Sequence, residues 1–168
     1  MRVGGISGIF KPYSFFQMYG NLPIREDTKK NCYHVREIET FKLSLLDSEK
    51  TIDIFLGHDW PRGITKHGSA EEQGRLFKIK PFFKKDIQSG SFGSPALTFL
   101  MEKLKIDNVL VGHCHIQFNA KVYSVKNRGV IDENRYIQFS AVDKCLKHRK
   151  FLKFVEFDAY NHLLDVDR

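Results

Sequence analysis

The stretch Val109-Leu-Val-Gly-His113-Cys-His115-Ile116 sets two imidazoles two residues apart, directly after a short β-branched run. In extended backbone, residues i and i+2 share one face, with Cα atoms about 6.5–7 Å apart. Rings so spaced can reach two metal ions about 3.5–4 Å apart. The stretch therefore predicts a strand that ends in metal-ligating histidines, His113 and His115. Cys114 falls on the opposite face and is not counted as a ligand. Taken alone, Gly-His-x-His also reads as a surface turn with two solvated histidines.

Upstream, Thr51-Ile-Asp-Ile-Phe-Leu56 alternates and then runs apolar, as a largely buried strand does, and it stops at Gly57-His58-Asp59-Trp60-Pro61. His58 thus follows a strand just as His113 does. Open α/β sheets hold ligands in the crevice beyond their strand C-termini, so two such histidines form a constellation. Asp59 is a candidate for orienting an imidazole from behind the metal or, equally, for a helix-cap or surface role; Trp60 reads as packing. Between the two strands, Ser94-Pro95 reads as an N-cap and a first-turn proline. Leu97, Leu100, Met101 and Leu104 recur at i, i+3, i+4 and i+7, which predicts an amphipathic helix over 95–105. Asp107-Asn108 is read as the turn into the next strand. The order helix then strand predicts an α/β fold with parallel crossovers.

Away from these anchors the pattern loosens. Arg2–Phe10 is Gly-rich and strand-like. Residues 11–31 lose periodicity and mix Tyr13, Phe15, Phe16 and Tyr19 with Arg25, Lys29 and Lys30, which reads as a long loop suited to base stacking and phosphate neutralisation or, equally, to the core. Cys32–Arg36 is expected to be a strand and Ile38–Leu46 a short amphipathic segment. Pro61–Ser69 reads as a loop, and Glu71–Gln88 as a mixed stretch with Lys78, Lys80, Lys84 and Lys85 around Phe77, Phe82 and Phe83. After His115, strands are expected over 117–125, 136–142 and 151–157, with a polar turn at Asn127–Gly129 and a basic connection at 143–150.

Composition bounds the function classes. The chain of 168 residues is 42% hydrophobic with 15 Phe, enough for one ordinary core and unlike a disordered tail. Its formal charge of +7 favours polyanionic partners such as nucleic acid. No run approaches 18 apolar residues and the N-terminus lacks a signal-peptide pattern, so an intracellular protein without a membrane partner is expected. Cys32, Cys114 and Cys145 are too few and scattered for a disulfide framework and are read as reduced thiols.

Seven blocks taken together are more specific than any one. Gly4-Gly-Ile-Ser-Gly-Ile-Phe-Lys11, Tyr33-His-Val-Arg36, Ile52-Asp-Ile-Phe-Leu56, His58-Asp-Trp-Pro61, Gly93-Ser-Pro95, Gly112-His-Cys-His115 and Asp143-Lys-Cys-Leu146 resemble, in order and approximate spacing, those of the intron lariat debranching enzymes. These are calcineurin-like metallophosphoesterases. The resemblance implies an α/β sandwich of two sheets flanked by helices, of which this chain holds part, with a strand-rich C-terminal region. It implies hydrolysis of the 2′,5′-phosphodiester at the branch point of excised introns, in the nucleus, with branched lariat RNA as partner. Divalent manganese, zinc or iron is the cofactor implied, and no further small molecule. By matching position, His58 and His113 would ligate one metal and His115 the other; Lys11, Tyr33, His34, Arg36 and Lys144 would contact substrate; and residues 11–31 correspond to the lariat-recognition loop.

The family's earlier motifs, Asp-x-His, Gly-Asp and Gly-Asn-His-Glu, are absent from this sequence. The expectation is a C-terminal portion of such an enzyme: residues 1–116 from the phosphoesterase core, residues 117–168 the strand-rich end, and no turnover by this chain alone. A generic metallophosphatase and a noncatalytic RNA-binding remnant are the alternatives.

Overall fold

The computed structural model describes residues 1–20, 24–26, 28–47, 49–125, 131–149, 151, 156–157 and 163–164. Its centre is a five-stranded mixed sheet. In chain order the elements are β1 (Val3–Ile6), α1 (Pro12–Phe15), α2 (Glu37–Ser44), β2 (Ile52–Gly57), α3 (Ala70–Ile79), α4 (Phe83–Ser89), α5 (Pro95–Lys103), β3 (Ile106–Val111), β4 (Phe118–Val125) and β5 (Ile131–Ala141). β6 (Glu156–Phe157) and β7 (Leu163–Leu164) form a separate antiparallel pair. The sheet order is β1-β2-β3-β5-β4; the first four run parallel and β4 is antiparallel on the edge. The α/β class expected from the strand and helix patterns is the one found.

One row of the sheet accounts for much of the core. Phe55, Val109 and Phe139 are register partners across β2, β3 and β5, and all three are fully buried. They share one cluster with Leu97, Leu100, Met101 and Leu104 of the α5 region, with Leu76 of α3, and with Trp60 and Phe118. Burying a large apolar side chain contributes about 1.5–3 kcal/mol each, so this row and the α5 stripe hold sheet and helix layer together. The predicted helix is present with its predicted cap: Ser94 Oγ accepts from the Leu97 amide, and Pro95 occupies the first turn.

Five local expectations are corrected. Asp107 and Asn108 lie inside β3 rather than in a turn, because the Asn108 side-chain amide donates to the Asp53 carbonyl of β2 and satisfies its polarity there. Glu71–Gln88 holds two helices, α3 capped by Ser69 Oγ and α4 closed by Gly90 at φ +72°. Pro61–Ser69 contains a 3-10 turn, Ile64–His67, that buries Ile64 and Thr65. Lys11–Asn31 starts with the short α1, with proline at its N-terminus. Cys32–Arg36 is not a strand: a 3-10 turn over Lys29–Tyr33 leads to an isolated parallel bridge between His34 and Ile9. The Asn127–Gly129 turn and residues 152–155 of the last expected strand lie outside the described residues.

Candidate functional site

Register brings the site together. Ile6 pairs with Gly57, Leu56 with Leu110, and Val111 with Ala141, so β1, β2, β3 and β5 all end at one rim of the sheet. The segments leaving that rim carry His58 and Asp59 after β2, Gly112–His115 after β3, and Asp143 and Lys144 after β5. Backbone bonds join the first two: the Gly112 amide donates to the His58 carbonyl at 3.3 Å, and the buried Trp60 indole donates to the Gly112 carbonyl at 2.8 Å. The packing role expected of Trp60 thus also fixes the loop before His113.

His58 and His113 meet. The Nε2 of His58 lies 3.1 Å from the Nδ1 of His113, with ring centroids 4.9 Å apart. In the absence of a metal this is a hydrogen bond in which one ring carries the proton. Two nitrogens about 2.0–2.1 Å from a common zinc ion at tetrahedral angles would stand about 3.3 Å apart, so the pair fits one edge of a coordination polyhedron. Among the described residues, no three His, Cys, Asp or Glu side chains gather closely enough to hold one ion. The close donor set among the described residues is therefore these two ring nitrogens.

His113 and His115 do not lie in extended backbone. Both residues are left-handed, with φ +64° and +54°, a conformation costing roughly 1–3 kcal/mol for a residue with a Cβ. Between them Cys114 is buried in the core. Burial, followed by the nearby Asp59 carboxylate, pushes the Cys114 thiol up to about 12, so it stays protonated at neutral pH and is a poor ligand. His115 is exposed, near enough to His113 to disfavour its protonation but not part of the close pair. Burial is the first cause that lowers the proton affinity of His113; His58, His115 and Lys11 act in the same direction and Asp59 opposes them. A neutral imidazole is the form that binds metal.

Asp59 faces two backbones rather than a ring. Its Oδ2 accepts from the Phe10 amide at 3.0 Å and its Oδ1 from the Trp60 amide at 2.9 Å. With Lys11, Arg62, Phe83, Phe92 and His113 it lines a cleft of about 280 Å³.

The Tyr33–Arg36 block turns largely inward. His34 is 3% exposed and Arg36 2%. The Nδ1 of His34 lies 2.8 Å from Ser14 Oγ, and its ring sits edge-on between Tyr13 and Tyr33. Arg36 donates to the Ser14 carbonyl at 2.6 Å and to the Asn31 carbonyl at 2.9 Å, with Tyr19 stacked over its guanidinium. Tyr19 in turn donates to Glu39; burial first, then that bond, push its phenol up to about 12. His34 and Arg36 thus pin the aromatic loop instead of facing outward, whereas Tyr33 and Lys11 remain exposed. Lys144 is exposed just past β5, where its amide donates to the Asp143 carboxylate. Gly8 (φ +102°) permits this arrangement, because a Cβ there would come within 2.5 Å of the Tyr33 carbonyl oxygen.

Comparison with known proteins gives the family context. A human lariat debranching enzyme is 39% identical over 160 residues, 94% of this chain. This chain resembles part of a lariat debranching enzyme. The same name belongs to an Arabidopsis thaliana protein 36% identical over 160 residues, 95% of this chain, and to a Schizosaccharomyces pombe protein 40% identical over 124 residues, 73% of this chain. The chain spans 28% of the human debranching enzyme's length and 36% of the Arabidopsis one's. No family model matches the chain.

Sequence reasoning missed Arg62 and the aromatic pair Phe83 and Phe92 as cleft residues. The Pro61–Ser94 bridge that delivers Arg62 to the rim is a long-range contact with no local pattern.

Proposed function

We propose that this chain forms one wall of the centre of a metal-dependent RNA phosphodiesterase that cleaves the 2′,5′ linkage of lariat introns. The observation that carries the reading is the 3.1 Å approach of His58 Nε2 to His113 Nδ1 at a shared strand rim, in a chain similar to debranching enzymes over 94% of its residues. His58 and His113 would hold one ion of manganese, zinc or iron, and His115 would serve a second. When bound, such ions activate water and stabilise charge on a phosphoryl group. The chain's own residues do the rest. Lys11 and Arg62 set positive charge at the cleft for a phosphate, and Asp59 fixes the loop that carries His58. His34 and Arg36 hold the loop bearing Tyr13, Phe16 and Tyr19, whose exposed rings suit unpaired bases. Lys144 adds a cation at the same rim. Excised introns as substrate imply a nuclear location.

Two nitrogens without a carboxylate to bridge two metals do not make a two-metal site, so the isolated chain is expected to bind branched RNA without turnover. The test compares branched RNA containing a 2′,5′ linkage with linear RNA of the same composition, alongside zinc titration by calorimetry. Preference for the branch, and zinc binding that falls at least about tenfold in His58→Ala and in His113→Ala, support the reading. Equal affinity for both RNAs, or zinc binding indifferent to both substitutions, overturns it.

A further inference from the structure

The turn between α3 and α4 carries a feature outside the histidine cleft. Phe82 is 65% exposed there, while Lys78, Lys84 and Lys85 are exposed and Lys80 is half-buried. The Lys80 ammonium lies 5.8 Å from the centre of the Phe82 ring. Among the described residues none of these four lysines has a carboxylate partner within ion-pair distance. Asp86 is the acidic residue of α4, and it lines the cleft.

This shoulder is continuous with the cleft. Phe82 touches Phe83 edge-on at 4.6 Å, Phe83 packs on Phe92 at 4.8 Å, and Phe92 meets Trp60 at 5.8 Å. Phe83 and Phe92 line the cleft that Lys11, Arg62 and His113 share. A file of rings therefore runs from beneath the histidine loop out to an exposed ring with the Lys80 ammonium over it, in a turn whose flanking helix residues include the exposed Lys78, Lys84 and Lys85. An apolar protein partner covering Phe82 would have to take lysine ammonium groups partly out of water with no carboxylate to pair them. A single-stranded polynucleotide offers a π-face for the ring and phosphates for the lysines.

We infer that the Phe82 shoulder is a contact surface for single-stranded RNA, stacking one nucleobase on Phe82 and neutralising its flanking phosphates with Lys78, Lys80, Lys84 and Lys85. A strand leaving the cleft then continues across α4. The inference rests on the reading of the chain as one that handles RNA, and extends it to nucleotides away from the cleaved bond.

Binding of a labelled linear oligouridylate to the full chain, followed by fluorescence anisotropy across a salt series, tests it. Phe82→Ala should weaken binding about 5- to 100-fold, and Phe82→Trp should restore it. Lys84→Gln combined with Lys85→Gln should reduce the slope of log affinity against log salt by about 1.4. The side chains of Phe82, Lys84 and Lys85 are exposed, so circular dichroism spectra should match the parent. Parent-like binding by Phe82→Ala, alanine-like binding by Phe82→Trp, or no salt-dependent binding by the parent overturns the inference. Branch preference, measured in parallel, keeps the two readings apart. A loss in Phe82→Ala without any branch preference sustains the shoulder and sinks the debranching assignment; branch preference with an indifferent Phe82 does the reverse.

Discussion

The Asp59 carboxylate accepts one amide through each oxygen, from Phe10 beyond β1 and from Trp60 beyond β2. Because it ties two strand ends together, Asp59→Ala should destabilise the chain by about 1.5–3 kcal/mol, read as a lower urea midpoint with unchanged slope. Its neighbour His58 is exposed and should be replaceable by alanine at little cost in stability. His34 behaves differently. Burial, then Arg36 and Lys11, lower its proton affinity in the folded chain. Below about pH 6.5 the unfolded chain therefore takes up the proton first, and stability falls as pH drops; above that pH this group contributes no slope. Urea midpoints measured from about pH 7.5 down to 5 should decline less steeply in His34→Gln than in the parent. An unchanged decline would place the acid sensitivity elsewhere, with His67 and His113 shifted in the same direction as the other sources.

Among the elements, α5 was the most legible because local signals agreed: a serine cap, a first-turn proline and four apolar residues at helical spacing. Ser94 is also held by the fold, its amide donating to the Trp60 carbonyl at 2.7 Å. Ser94→Ala should cost about 1 kcal/mol through the lost cap. Gly93→Ala should cost more, since Gly93 sits at φ +95° and a Cβ would meet the Pro61 carbonyl oxygen at 2.8 Å; thermal denaturation ranks the two. β2 and the Val109–Val111 half of β3 were legible for a similar reason, as short apolar runs ended by glycine. α3 and α4 were not, because their buried faces are narrow: Leu76 is the buried residue of α3, and α4 has none. Ser69-x-x-Glu72 and Gly90 were the available signals, as helix boundaries. That His58 and His113 would stand at one edge was legible from strand ends, whereas their direct approach was foreseen only through the family resemblance. The left-handed backbone at 113 and 115 was not, since it follows from burying Cys114 in the core while the chain turns away from β3. The inward posture of His34 and Arg36 was likewise hidden, because it depends on Ser14, which lies 20 residues before the one and 22 before the other.

At the scale of the whole molecule, an ion held by His58 and His113, as proposed, would couple metal to stability. An ion that binds the folded chain and not the unfolded one adds about 2.7 kcal/mol at a hundredfold excess over its dissociation constant. Zinc should therefore raise the melting temperature of the parent, a chelator should reverse the rise, and His58→Ala or His113→Ala should abolish it; a parent that melts at the same temperature with and without zinc argues against coordination by this pair. Elsewhere an apolar groove of about 780 Å³ lies among Phe15, Phe16, Ile38, Phe41, Pro95 and Phe99, and among the described residues β1 is an edge strand paired with β2. Both leave apolar or hydrogen-bonding surface in water.

The single tryptophan of the sequence, buried and bonded to the carbonyl just before His113, gives the molecule an intrinsic optical reporter. Excited selectively, its indole should emit towards the blue while that bond holds, and drift redward when anything loosens the histidine turn. Ligand arrival at the rim thus becomes visible in unlabelled protein.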